Sequence, residues 1–126
     1  MASVTRYCDR IESLADRAAA ERESFTPPDP ESVEERAVRY CREGVGPTVA
    51  VYVEARTGGR SVRFPSEEFD LLGRALRDWL ALYARCYGVE TDPDATIRTA
   101  AELLLDTHSA RDVARLLTDV PSLTGD

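Results

Sequence analysis

Each of the three cysteines lies beside a tyrosine: RYC at 6–8, RYC at 39–41 and RCY at 85–87. Thiolates and imidazoles ligate zinc and iron–sulfur centres, and Cys8, Cys41 and Cys86 with the single histidine, His108, have the ligand number of a Cys3His site. Such sites are built from short knuckles such as CxxC, which deliver two thiolates to one ion. Here successive cysteines are 33 and 45 positions apart. Each also falls in the apolar stripe of an expected helix, where a thiol behaves as a small hydrophobe. The expectation is three core cysteines, no metal and no cofactor.

His108, in DTHSARD, has the unperturbed pKa that suits acid–base work near neutrality, and Asp106, Ser109 and Asp112 flank it. A Ser-His-Asp relay needs those groups to converge on a pocket from different elements, whereas neighbours at a helix–helix junction serve as caps. TGGR at 57–60 lacks the spacing of a phosphate loop, and it joins two expected strands where a phosphate loop precedes a helix. The carboxylates fall mostly on polar helix faces, where nothing raises their pKa. No catalytic residue is expected, and hence no enzyme.

The elements that would position any site follow from spacing. Val4, Tyr7, Cys8, Ile11, Leu14, Ala15, Ala18 and Phe25 recur at helical intervals over 3–25, and TPPDP then breaks the pattern. Asp29–Pro30, or Ser32 with Glu35, starts a second helix predicted to stop near Gly44, and VGP at 45–47 marks a break. TVAVYVEART then alternates as a strand does, Gly58–Gly59 suits a two-residue turn, and RSVRF returns. In that register Glu54 lies opposite Arg63 and Val53 opposite Phe64.

Ser66 is expected to cap a long helix whose apolar residues Phe69, Leu72, Leu76, Trp79, Tyr83 and Cys86 step by three and four, with Gly88 as its stop. Gly73 inside it suggests close approach of another element. Thr96 or Asp92 opens a fourth helix, and Ser109 with Asp112 caps a fifth ending at Pro121. The predicted fold is a single α+β domain over 1–121, predominantly helical, with about five helices around one antiparallel β-hairpin and a short tail at 122–126.

Charge bounds the partners. There are 23 acidic and 16 basic residues, net −7, and every basic residue is arginine. An acidic, lysine-free chain rich in Ala, Val, Asp and Arg resembles the cytoplasmic proteins of halophilic archaea. VEARTGG and LYARCYG are similar to phrases in small acidic proteins of those organisms. The resemblance carries no activity, but it implies a cytoplasm holding molar salt, where the Debye length is about 3 Å and phosphate-driven binding loses orders of magnitude.

The one local concentration of positive charge is the expected hairpin, so Tyr52, Arg56, Arg60 and Arg63 form a candidate binding surface. A basic β-ribbon can enter a DNA groove, and the C-terminal TAAELLLDTHSARDVARLLTDV has a distant likeness to helix-turn-helix, so a DNA-binding regulator is the alternative reading. A non-catalytic adaptor or regulatory protein-binding module is preferred over it. Phe69, Leu72, Leu76, Trp79 and Tyr83 form a packing or dimer seam, and a lone hairpin that can pair across a two-fold axis, with Leu71 and Leu82 off that seam, suggests a homodimer. No run of signal-peptide or membrane-spanning length occurs, so a cytoplasmic chain with an unknown protein partner and no membrane contact is expected.

Overall fold

The structure, a computed structural model, describes residues 6–57 and 63–120. Its regular elements are α1 (Cys8–Glu23), a short 3₁₀ turn (Pro30–Ser32), α2 (Val33–Tyr40), a wide π turn (Cys41–Val45), α3 (Gly46–Thr57), α4 (Ser66–Cys86), α5 (Ile97–Thr107) and α6 (Ala110–Thr118). Among the described residues there is no strand, so the expected α+β fold is corrected to an all-α one. No described helix is long and apolar enough to cross a membrane.

The correction lies in TVAVYVEART, which is helix α3 rather than the first arm of a hairpin. Its valines alternate, but of its buried residues Thr48, Val51 and Ala55 step by three and four along one helical face, with Val49 beside them. β-Branched residues disfavour helix only weakly, and packing of α3 against α1 and α5 overrides that preference. Nor does α3 have to nucleate alone, because it continues from α2 through the π turn. The Gly58–Gly59 turn, Arg60, Ser61 and Val62 lie outside the described residues.

Pro47 explains the π turn. A proline in a regular helix removes a donor and drives its ring into the carbonyl four residues back, here that of Glu43. Widening the preceding turn relieves the clash, and the Gly46 N–H reaches back five residues to the Cys41 carbonyl. The predicted break at VGP is therefore a bulge in a continuing helical run. Gly44, predicted as a stop, lies buried in that bulge, and a Cβ built on it would sit 2.1 Å from Cδ2 of Trp79. The missing side chain is the seat of the indole.

Helix α4 is the centre of the molecule and packs against α1, α2, α3, α5 and α6. Leu72, Leu76, Trp79 and Tyr83 are fully buried in the chain's own core, while Phe69 remains 42% exposed. Leu82 is also fully buried and Leu71 partly so, which means that the second apolar face is covered by this chain's own helices. Trp79 Nε1–H donates to the Leu14 carbonyl at 3.1 Å, and the Tyr83 hydroxyl donates to the Val120 carbonyl at 2.6 Å. These two bonds tie α1 and the end of the described chain to α4.

The expected crowding at Gly73 is not observed: a Cβ there would meet only Nη1 of Arg77, at 3.2 Å. Helix termini follow their local signals more closely. Gly88 has φ 78° and its N–H donates to the Arg85 carbonyl, while Val89 N–H donates to Ala84, the paired bonds of a Schellman cap. Thr96 and Ser109 accept from Thr99 N–H and Asp112 N–H, each at 3.1 Å. At α4 the helix begins at Ser66 itself and Pro65 occupies the cap position, one residue earlier than expected.

Candidate functional site

The cysteines do not converge on one centre. Cys8, half-buried at the start of α1, donates to Glu12 at 3.6 Å, and desolvation together with the Glu12 carboxylate pushes its pKa up. Cys41 lies in the π turn and Cys86 ends α4, and burial pushes these thiols up to about 12 and about 11. A charge on Cys86 further raises Cys41, so these two share one core region apart from Cys8. Among the described residues no three His, Cys, Asp or Glu side chains are arranged to hold a metal ion.

A thiol-reactive disulfide reagent at pH 8 is therefore expected to modify Cys8 alone in the folded chain, and all three cysteines in denaturant. Because the folded pKa values of Cys41 and Cys86 stand above their ordinary 9.0, their neutral forms contribute stability that is fully present below pH 9 and lost as pH climbs through about 11 and 12. The urea midpoint should fall in that alkaline window. Rapid modification of all three thiols in the native state would contradict this burial.

His108 is exposed and takes a left-handed conformation, φ 56°, between α5 and α6, where its backbone N–H donates to the Leu104 carbonyl at 2.7 Å. Ser109 Oγ caps α6 by accepting from the backbone N–H of Asp112. These residues act as a helix–helix junction.

Of the candidate basic surface, the structure brings together two residues. Tyr52 and Arg56 lie one turn apart on α3, with the Arg56 guanidinium 5.8 Å from the Tyr52 ring centre. Arg63 is exposed, and Arg60 is outside the described residues. Glu54 is not paired with Arg63 as the hairpin register required. Arg10 of α1 takes it in a two-pronged contact at 3.1 and 3.0 Å, which holds the Glu54 carboxyl below the usual carboxylate range.

Tyr7 lies beneath this pair, with Arg6 and Arg10 at 5.1 and 5.6 Å from its ring centre and Phe64 edge-on at 6.0 Å. Arg6 and Arg10 thus join the candidate surface, and sequence reasoning missed them because they lie more than 40 positions from Arg56. The RYC phrase at 6–8 carries a local signal for Arg6 alone.

Two further surfaces emerge only in three dimensions. A groove of about 610 Å³ runs along the outer face of α2 and is lined by Ser32, Glu34, Glu35, Arg36, Arg39 and Arg42. On α5 and α6, Leu105 is 56% and Leu116 45% exposed, and Leu103, Leu104 and Leu117 are only partly buried. By contrast Leu14, Leu72, Leu76, Leu80 and Leu82 on α1 and α4 are all buried.

A family model described as Domain of unknown function (DUF8055) matches residues 5–122. The chain belongs to this family. The DUF8055 match begins just before α1 and ends just past α6, so it takes in every helix and all the surfaces described above. No curated protein and no solved structure matches the chain.

Proposed function

We propose that this DUF8055 chain is a small non-catalytic protein-binding module of the cytoplasm, an adaptor or regulator that works through the leucine face of α5 and α6. The supporting observation is the contrast among its leucines. Those of α1 and α4 are buried apart from Leu71, which is partly so, whereas the five at 103, 104, 105, 116 and 117 keep contact with water and two of them, Leu105 and Leu116, are exposed. Fully burying a leucine contributes about 1.5–3 kcal/mol, so a partner that covers the exposed half of Leu105 and of Leu116 gains about 1 kcal/mol from each. The sequence argument for a homodimer draws on a hairpin paired across a two-fold axis and on Leu71 and Leu82; the hairpin's first arm is helix α3, and this chain buries Leu82 fully and Leu71 partly. Self-association is accordingly reassigned to the same leucine face.

The test is co-purification of the tagged chain in molar KCl, with and without nuclease, read by mass spectrometry and light scattering. The expected result is a stoichiometric companion, either another protein or a second copy, that survives nuclease and is lost from Leu105→Glu/Leu116→Glu. Both replaced residues are exposed, so the variant should keep its helical circular dichroism. A companion released by nuclease would move the reading to nucleic acid. One retained by the double variant would remove the leucine face from it.

A further inference from the structure

The outer face of α2 goes against the charge of the molecule. Arg36, Arg39 and Arg42 recur every three residues along it, in a chain of net charge −7. Their charges are unevenly met. Arg36 donates to a neutral acceptor, the Thr26 carbonyl, at 3.1 Å. Arg39 is paired with Glu21 at 3.1 Å, yet its Nε is sealed from solvent without a hydrogen-bond partner. Arg42 lies 3.5 Å from Glu43, which Arg17 holds more closely at 3.1 Å, so one carboxylate serves two guanidiniums.

The carboxylates of the groove lie toward its other end. Arg111 of α6 draws off Glu34 with a 2.7 Å contact, and Glu35 is exposed on the rim. The groove is therefore polarised along the helix, with the uncompensated positive charge at the Arg36–Arg42 end.

We infer that this groove docks an acidic segment of a partner polypeptide, laid along α2 with its carboxylates toward Arg36 and Arg42. The inference rests on the protein-binding reading and adds a second contact to it, of stated chemistry. Ser32 to Arg42 spans roughly 15 Å of helix axis at 1.5 Å per residue, the reach of four or five extended residues. Guanidinium forks match carboxylates in planar two-pronged contacts, so rows of arginine suit an acidic peptide better than a neutral one. The open shape of the groove suits a strand of polypeptide laid across it.

A fluorescein-labelled peptide of alternating Glu and Ala, titrated with the full chain at low and at molar KCl, tests this by anisotropy, with a Gln-for-Glu peptide as the neutral control. At low KCl the acidic peptide is expected to bind and the neutral one not, and molar KCl should weaken the acidic peptide as its charges are screened. Arg36→Gln/Arg42→Gln should weaken binding about ten-fold, and removing the repelling carboxylate in Glu35→Gln should tighten it about two-fold. Leu105→Glu/Leu116→Glu should leave peptide binding unchanged.

Equal binding of both peptides, undiminished binding by the arginine variant, or no binding at millimolar protein overturns the inference. Displacement of the peptide by stoichiometric pyrophosphate assigns the groove to a small anion and overturns it too. Loss of the peptide together with a retained companion at the leucine face removes this inference alone. Peptide binding in a chain that recovers no companion instead removes the leucine-face reading.

Discussion

Trp79→Ala is expected to cost about 4 kcal/mol, a large share of the 5–15 kcal/mol that holds a domain of this size folded. Trp79 is 1% exposed at the middle of α4, its ring 5.9 Å from that of Tyr40 and covered on another side by the Arg17 guanidinium at 5.8 Å. Truncation leaves a cavity bounded by α1, the π turn and α4, and the backbone cannot close it without moving all three. It also removes the Nε1 bond to Leu14. Urea denaturation followed by circular dichroism measures the loss, since this is the only tryptophan and its fluorescence goes with it. Trp79→Phe keeps most of the packing and should cost less than half as much. A loss below about 2 kcal/mol for the alanine variant would mean that the indole is not the centre of the core.

Gly44→Ala should destabilise by about 3 kcal/mol, the upper end for overpacking by one carbon, and is the cleaner test of the bulge. The added Cβ lands 2.1 Å from Cδ2 and 2.3 Å from Cε3 of Trp79, ring atoms that cannot swing aside as the end of a flexible side chain can. Either the π turn lifts from α4 or the indole leaves its rotamer. Gly73→Ala is the matched control. Its new Cβ meets only the mobile tip of Arg77 at 3.2 Å, so relief of backbone entropy should stabilise the chain by about 0.5–1 kcal/mol. In the Trp79→Ala background the Gly44 substitution should become nearly neutral. A double-mutant cycle with no coupling between positions 44 and 79 would refute the seat.

These two glycines show where sequence reasoning succeeds and where it stops. Gly73 stands within a strong apolar stripe and Gly44 at the end of one, so spacing alone suggested contact at the first and a stop at the second. The reverse is found. Whether a glycine admits a neighbour depends on what faces it, and Trp79 is 35 positions from Gly44. The candidate surface on α3 behaves likewise: the nearness of Arg56 to Tyr52 follows from a spacing of four, but the pairing of Glu54 with Arg10 is a long-range contact that no local register contains.

By itself the sequence determined what short-range chemistry can: the stripes of α1, α4, α5 and α6, the Schellman glycine at 88, the Thr96 and Ser109 caps, and the burial of Cys41 and Cys86, though not of Cys8, which lies half-buried beside Glu12. Those features depend on residues within a turn or two of one another, where hydrogen bonding and periodicity act directly. Tertiary structure alone decided the state of TVAVYVEART, because its valines alternate as in a strand while Thr48, Val51 and Ala55 step by three and four as on one face of a helix. The difference in intrinsic preference is small beside the burial that α1 and α5 offer to a helix there. It also decided that α4 would be enclosed by its own chain, since the number of helices that reach a face depends on how the whole chain folds back upon it.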